Sequence, residues 1–174
     1  MNYYSLTREE NERQGVAYSP EEITFKLLYN RRRVEGWKPF SFELRDGEFS
    51  DYQANNLGWH LCSGALKKCI ERFATGTEGF QWLPVVVQSQ GGDAREYFVL
   101  HMWPTCDVLN RSRSIFSGDH LVKPVLNAAA IKHLNLFSVS GKGMAYVSEP
   151  VRKAARSAQI SGLDFLKVPV VAAD

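Results

Sequence analysis

Residues 58–87, GWHLCSGALKKCIERFATGTEGFQWLPVVV, and residues 143–171, GMAYVSEPVRKAARSAQISGLDFLKVPVV, carry one pattern written twice. With Ser63 set on Ser148, Leu66 falls on Val151, Lys67-Lys68 on Arg152-Lys153, and Ile70 on Ala155. A connection two residues shorter in the second copy then brings Gly79 onto Gly162, Phe80 onto Leu163, Trp82 onto Phe165, Leu83 onto Leu166 and Val85 onto Val168. Each copy reads as a helix followed by a strand. Ser63 and Ser148 are N-cap residues, whose hydroxyls accept from the open N–H groups of a first turn, and Pro150 stands where a helix start tolerates a missing N–H. Leu66, Cys69, Ile70 and Phe73, and in the second copy Val151, Ala154, Ala155 and Ala158, recur at helical spacing with the basic residues outside. After each glycine comes an apolar run rich in β-branched residues, FQWLPVVV at 80–87 and LDFLKVPVV at 163–171, and these predict strands.

The repeat also decides how to read CSGALKKC at 62–69, a stretch that resembles a metal or redox pair. The second copy has Val147 and Ala154 where the first has Cys62 and Cys69, so the shared requirement is a small apolar side chain. Zinc sites draw paired ligands from two to four residues apart and need four of them. The cysteines are therefore read as packing residues.

Around the repeat, FSFELRDG at 40–47 alternates and ends in Asp-Gly, and REYFVLHMW at 95–103 follows the Gly91-Gly92-Asp93 turn. With FQWLPVVV the latter forms a β-hairpin. LFSV at 136–139 leads through Ser140-Gly141-Lys142-Gly143 into MAYV, and TFKLLYNRRR at 24–33 predicts a short helix. Residues 7–22, TREENERQGVAYSPEE, are polar and read as a loop or short helix, so 1–22 is expected to be a loosely ordered N-terminal segment. Hairpins mixed with helices, without strict β-α-β alternation, point to one α+β domain over 1–174, with a largely antiparallel sheet, short helices and two related helix-strand units.

A chain of 174 residues is long enough to bury roughly two-thirds of its unfolded surface. Hydrophobic residues at 44% and charged residues at 23% are ordinary globular usage. No apolar run approaches the ~20 residues that cross a bilayer, and MNYYSLTREENER lacks the basic and apolar regions of a secretory signal. The expected place is the cytoplasm, where the three cysteines stay reduced. The net charge of +2 implies no polyanionic partner, but it is unevenly spread. Residues 24–45 hold Lys26, Arg31, Arg32, Arg33, Lys38 and Arg45 against Glu35 and Glu43, whereas 46–110 hold eight acids against four bases.

Catalytic patterns are absent: there is no Gly-x-Ser-x-Gly elbow, phosphate-binding loop, His-x-Glu pair or His-Glu-x-x-His helix. A thiol enzyme would use Cys106 with His101, but a thiolate needs a base in reach and a group to orient it, and His101 sits among packing residues on an alternating strand. No metal or cofactor is expected. Arg31, Arg32 and Arg33 with Tyr29 and Trp37 form the best nucleic-acid candidate, yet one cluster in a near-neutral chain makes such a partner the lesser reading. As a protein-binding surface the same arginines with Trp37 stand beside the loop around Arg111, Arg113 and Phe116, which shows no helical or strand period; of the two, the loop is expected to form the contact, inserting toward an acidic cleft of the partner. Asp46 and Asp51, in a turn-rich stretch, offer an alternative edge for a basic partner.

The order of YY near the N-terminus, DYQANN-x-G-x-x-LCS, FQWLPV followed by EYFVLHM, CDVLNRSRS, LFSV, and YVSEPVRKA with GLDF resembles a bacterial immunity-protein family found beside polymorphic toxins. The likeness runs from about residue 35 to the C-terminus, and its most specific piece is the repeated serine–helix–glycine–strand unit ending in GLDF. It implies a protein of the toxin-producing cell that binds a cognate toxin domain encoded nearby and masks its active site. Many toxin-neutralising proteins are acidic to meet basic nucleases. The slight basicity of this chain instead suits an acidic or neutral toxin.

Overall fold

Helices begin directly after Ser63 and Ser148, and both serines hold extended backbone, with ψ of 166° and 164°. The structure, a computed structural model, describes residues 1–29, 32–139 and 143–172. In chain order the elements are β1 (Tyr3–Arg8), β2 (Val16–Tyr18), a 3-10 turn at Phe25–Leu28, β3 (Ser41–Arg45), β4 (Tyr52–Gln53), β5 (Leu61–Ser63), α1 (Gly64–Glu71), β6 (Phe80–Ser89) and β7 (Ala94–Met102). There follow β8 (Ile115–Ser117), β9 (His120–Lys123), β10 (Leu126–Asn127), α2 (Ala128–Ile131), β11 (Leu136–Ser138), β12 (Ala145–Ser148), α3 (Glu149–Ser157), β13 (Leu163–Val168) and β14 (Val170–Val171).

Among the described residues one sheet has the order β2-β3-β6-β7-β5-β4 and another the order β11-β12-β1-β13. Pairing is antiparallel except between β3 and β6 and between β10 and β14, giving the α+β architecture expected. In the first sheet β5 and β6 both run antiparallel to β7, which lies between them. In the second, β12 and β13 flank β1 in the same way. Each half is thus a strand–helix–strand unit with a third strand inserted between its parallel strands. That inserted strand follows the first unit in the chain and precedes the second.

The registers make the duplication exact to the residue. Ser63 and Val85 both face Tyr97, while Ser148 and Val168 both face Tyr3. Both tyrosines are buried, and each hydroxyl donates to a main-chain carbonyl: Tyr97 to Ser50 at 2.7 Å, Tyr3 to Ile131 at 2.6 Å. The cation over the ring one residue further along recurs too, with Lys67 5.1 Å from the Phe98 centroid and Arg152 4.6 Å from that of Tyr4. At the turn into the second strand, Trp103 N–H donates to Gly79 O at 2.8 Å and Glu9 N–H to Gly162 O at 3.0 Å. Both glycines are required by close approach: a Cβ on Gly79 would lie 2.5 Å from the Trp103 ring, and one on Gly162, at φ +77°, 2.6 Å from Tyr52 O.

Helices α1 and α3 meet across a shared core of Tyr4, Leu6, Leu66, Ile70, Leu100 and Val151. The opposite face of each sheet covers a further core, around Tyr3, Phe137 and Tyr146 on one side and Phe42, Leu83 and Val85 on the other.

Several expectations need correction. The described residues of 24–33 form no α-helix and hold only the 3-10 turn: Thr24 makes no capping bond, and within the turn Leu28 alone is buried, so too little packing exists to propagate a helix that short. Tyr3–Arg8 is a paired strand flanked on both sides, and Val16–Tyr18 within 7–22 is a strand on β3. The segment around Arg113 and Phe116 enters a β8–β9 hairpin with a bulge between Ile115 and Phe116. Ser148 occupies the N-cap position without bonding the helix; its hydroxyl donates to Asn135 Oδ1 at 2.7 Å. Ala158 is the exposed C-cap of α3 rather than part of its buried stripe. The turn residues Ser140, Gly141 and Lys142 lie outside the described residues.

Candidate functional site

The turn Phe25–Leu28 is tied to the core by Leu28, which is 4% exposed. Its other large side chains point outward: Phe25 is 55% exposed, Leu27 50%, and Tyr29, just beyond, 71%. Arg31 lies outside the described residues. From Arg32 the chain is fastened along the outer edge of β6, where β3 pairs only as far as Val86. His101, 2% exposed, gives its Nε2 proton to Arg32 O at 2.7 Å. Gln81 grips both backbone groups of Val34, accepting at 2.9 Å and donating at 3.0 Å. Trp37 Nε1 donates to Pro84 O at 2.9 Å and its ring leans on Phe40 and Trp59. The backbone is therefore held while the Arg32 and Arg33 side chains stay exposed. Trp37 is half-buried and serves this attachment.

Beside the turn lies a cleft of about 200 Å³ lined by Phe25, Tyr29, Trp59, His60 and His101 among others. A wider one of about 500 Å³ is lined by Leu27, Arg32, Arg33, Val34 and Glu35. His60 is built into the first. Its Nε2 must donate to Gly143 O at 2.6 Å, since a carbonyl only accepts, which leaves Nδ1 to accept from the Tyr52 hydroxyl, also at 2.6 Å.

The second arginine-bearing surface is the β8–β9 hairpin. Its base is closed by Asn110, whose carbonyl accepts from Ser114 N–H at 3.0 Å, and by the Ser114 hydroxyl, which accepts from Val125 N–H at 3.0 Å. Asn110 Oδ1 also accepts from Arg113 N–H at 3.1 Å. Arg111 is paired with Asp107 at 3.0 Å, an exposed i,i+4 bridge. Leu121 is buried, whereas Ile115, Phe116 and Val122 are 53%, 37% and 57% exposed.

The two acidic candidates differ. Asp46 is exposed in the left-handed region, at φ 55°, in the turn that ends β3. Asp51 has its carboxylate engaged by the fold: Oδ1 accepts from the Ser63 hydroxyl at 2.6 Å, and Oδ2 accepts from Ser161 N–H at 3.0 Å and its hydroxyl at 2.9 Å. The thiols are dispersed. Cys62 and Cys69 are buried in the core, and burial pushes both thiols up, away from the reactive thiolate. Cys106 is exposed on the loop after β7, while the ring of His101 is turned to Arg32 O. Among the described residues no three His, Cys, Asp or Glu side chains gather as metal ligands.

Sequence reasoning singled out Arg32 and Arg33 but missed the exposure of Phe25, Leu27, Ile115 and Val122. Their spacing carried no usable signal, because apolar residues in a turn and in a core helix look alike until the packing is known.

The model of the immunity protein family (Imm11) matches residues 3–170 of the chain. No curated protein matches it.

Proposed function

Because the chain belongs to the Imm11 immunity protein family, we propose that it is a non-catalytic inhibitor that binds a cognate toxin domain and covers its active site. The toxin is encoded nearby, the inhibitor acts in the cytoplasm of the toxin-producing cell or its kin, and the setting is competition between bacteria. One observation carries this reading beyond family membership. Of the groups weighed for chemistry, His60, His101, Asp51, Cys62 and Cys69 are spent on the fold, and the exposed Cys106 is left without His101, whose ring is turned to Arg32 O, while arginine and large apolar side chains face solvent. Arginine and aromatic residues are the types that dominate protein interfaces. Among the described residues no helix is long and apolar enough to cross a membrane.

The test is to co-express the chain with the toxin domain encoded beside it and to titrate the purified pair by calorimetry. The expected result is rescue of growth and a stoichiometric complex with full inhibition at equivalence. Inhibition by catalytic amounts of the chain, or rescue without a complex, would replace the inhibitor reading with an enzymatic one.

A further inference from the structure

We infer that the toxin docks on the Phe25–Leu28 turn with Tyr29, Arg32 and Arg33, and that the docked face of the toxin is acidic. This rests on the inhibitor reading and chooses between the two arginine-bearing surfaces.

Phe25, Leu27 and Tyr29 place three large apolar side chains, each at least half exposed, within five residues. Such a cluster on a monomer marks a binding surface more often than chance exposure does. Arg32 and Arg33 share one cleft with Leu27 and Glu35; Lys26 and Lys38 add positive charge along the segment, and Glu21 and Glu22 precede the turn. Among the described residues neither Arg32 nor Arg33 is in an ion pair, whereas Arg111, ahead of the hairpin, is already paired with Asp107. A carboxylate-bearing surface would meet these cations without displacing a bridge. The arginine-bearing part of this surface is also held in place before binding. His101, Gln81 and Trp37 pin the backbone on either side of Arg33, which lowers the ordering cost of association. Clefts of about 200 and 500 Å³ flank the turn and can receive side chains from the partner.

The experiment measures the dissociation constant for the toxin domain neutralised in the co-expression assay, at low and high salt, with three double variants and the wild type. Arg32→Glu with Arg33→Glu is expected to weaken binding about 30-fold or more at low salt and to flatten the salt dependence. Phe25→Ser with Tyr29→Ser is expected to weaken it about 30-fold with the salt dependence kept. Arg111→Glu with Arg113→Glu is expected to bind within about threefold of wild type. Hydrogen exchange of the wild-type complex should slow at residues 25–29 and at 32 and 33, and thermal unfolding of all variants should match wild type. Wild-type affinity in both turn variants, or loss only in the hairpin variant, overturns the docking surface and leaves the inhibitor reading standing. No binding by the wild type overturns both. Salt-dependent binding of a single-stranded oligonucleotide through Arg32 and Arg33, with no toxin complex, assigns the surface to nucleic acid instead.

Discussion

Asp51 and Asn135 perform one task in two halves of the molecule. Asp51 bonds Ser63 through main chain and side chain and reaches Ser161, in the connection after α3. Asn135 bonds Ser148 in the same two ways and reaches Phe73 O, in the connection after α1. Each therefore ties the helix start of its own unit to the helix end of the other. Ser63→Ala should cost about 1–3 kcal/mol, since it removes both a cap acceptor for Leu66 N–H, at 3.2 Å, and a charge-assisted bond to Asp51. Ser148→Ala should cost about 1–3 kcal/mol by a different route, removing from the half-buried Asn135 Oδ1 the hydroxyl that donates to it. Chemical denaturation of each single variant and of the pairs Ser63→Ala/Asp51→Ala and Ser148→Ala/Asn135→Ala checks this. Additive costs in both cycles would mean that the serines do not act through these partners. Cys62→Val with Cys69→Ala should change stability by less than about 1.5 kcal/mol per site and leave partner binding intact, because both residues act as small core fillers.

At the scale of elements, the two turns into the second strand depend on glycine for space. Gly79→Ala and Gly162→Ala should each destabilise by more than about 1 kcal/mol, as the new methyl meets the Trp103 ring in one and Tyr52 O in the other. Gly118→Ala, at φ +56° in the β8–β9 turn with open space around it, should cost about 1 kcal/mol or less. Equal midpoints for all three in thermal unfolding would refute the close-approach argument. Element packing also explains where the repeat diverges. Leu83 is 1% exposed and its counterpart Leu166 62%, because β6 has β3 beside it and a core beneath, whereas β13 is the edge of its sheet. The alternating pattern is the same in both strands. The neighbour is not.

For the whole molecule, the inserted strands β1 and β7 place Tyr3 and Tyr97 at equivalent points of two sheets that share one core. Burial pushes the Tyr97 hydroxyl up from 10.0 to about 12. A raised folded-state value means that the protonated form is favoured by folding, so this stabilisation is complete below pH 10 and is lost as pH rises toward 12. Tyr146, likewise raised by burial to about 12, adds to the same loss. Unfolding free energy measured between pH 9 and 12 should fall, and Tyr97→Phe should fall less steeply than wild type; parallel slopes would assign the alkaline loss to other groups. What the sequence by itself determined was the repeat, the capped start at Ser63, both glycine turns and the strand runs, since capping, helical spacing and β-branched alternation are local properties of the chain. It did not reveal that β1 and β7 slot between the repeated strands, that Asp51 is a latch rather than a free carboxylate, or that Phe25, Leu27 and Tyr29 face solvent. Those were decided by which surfaces meet across more than a hundred residues of chain, as in Asp51 with Ser161, and burial depends on the neighbour that arrives rather than on the residue that waits for it.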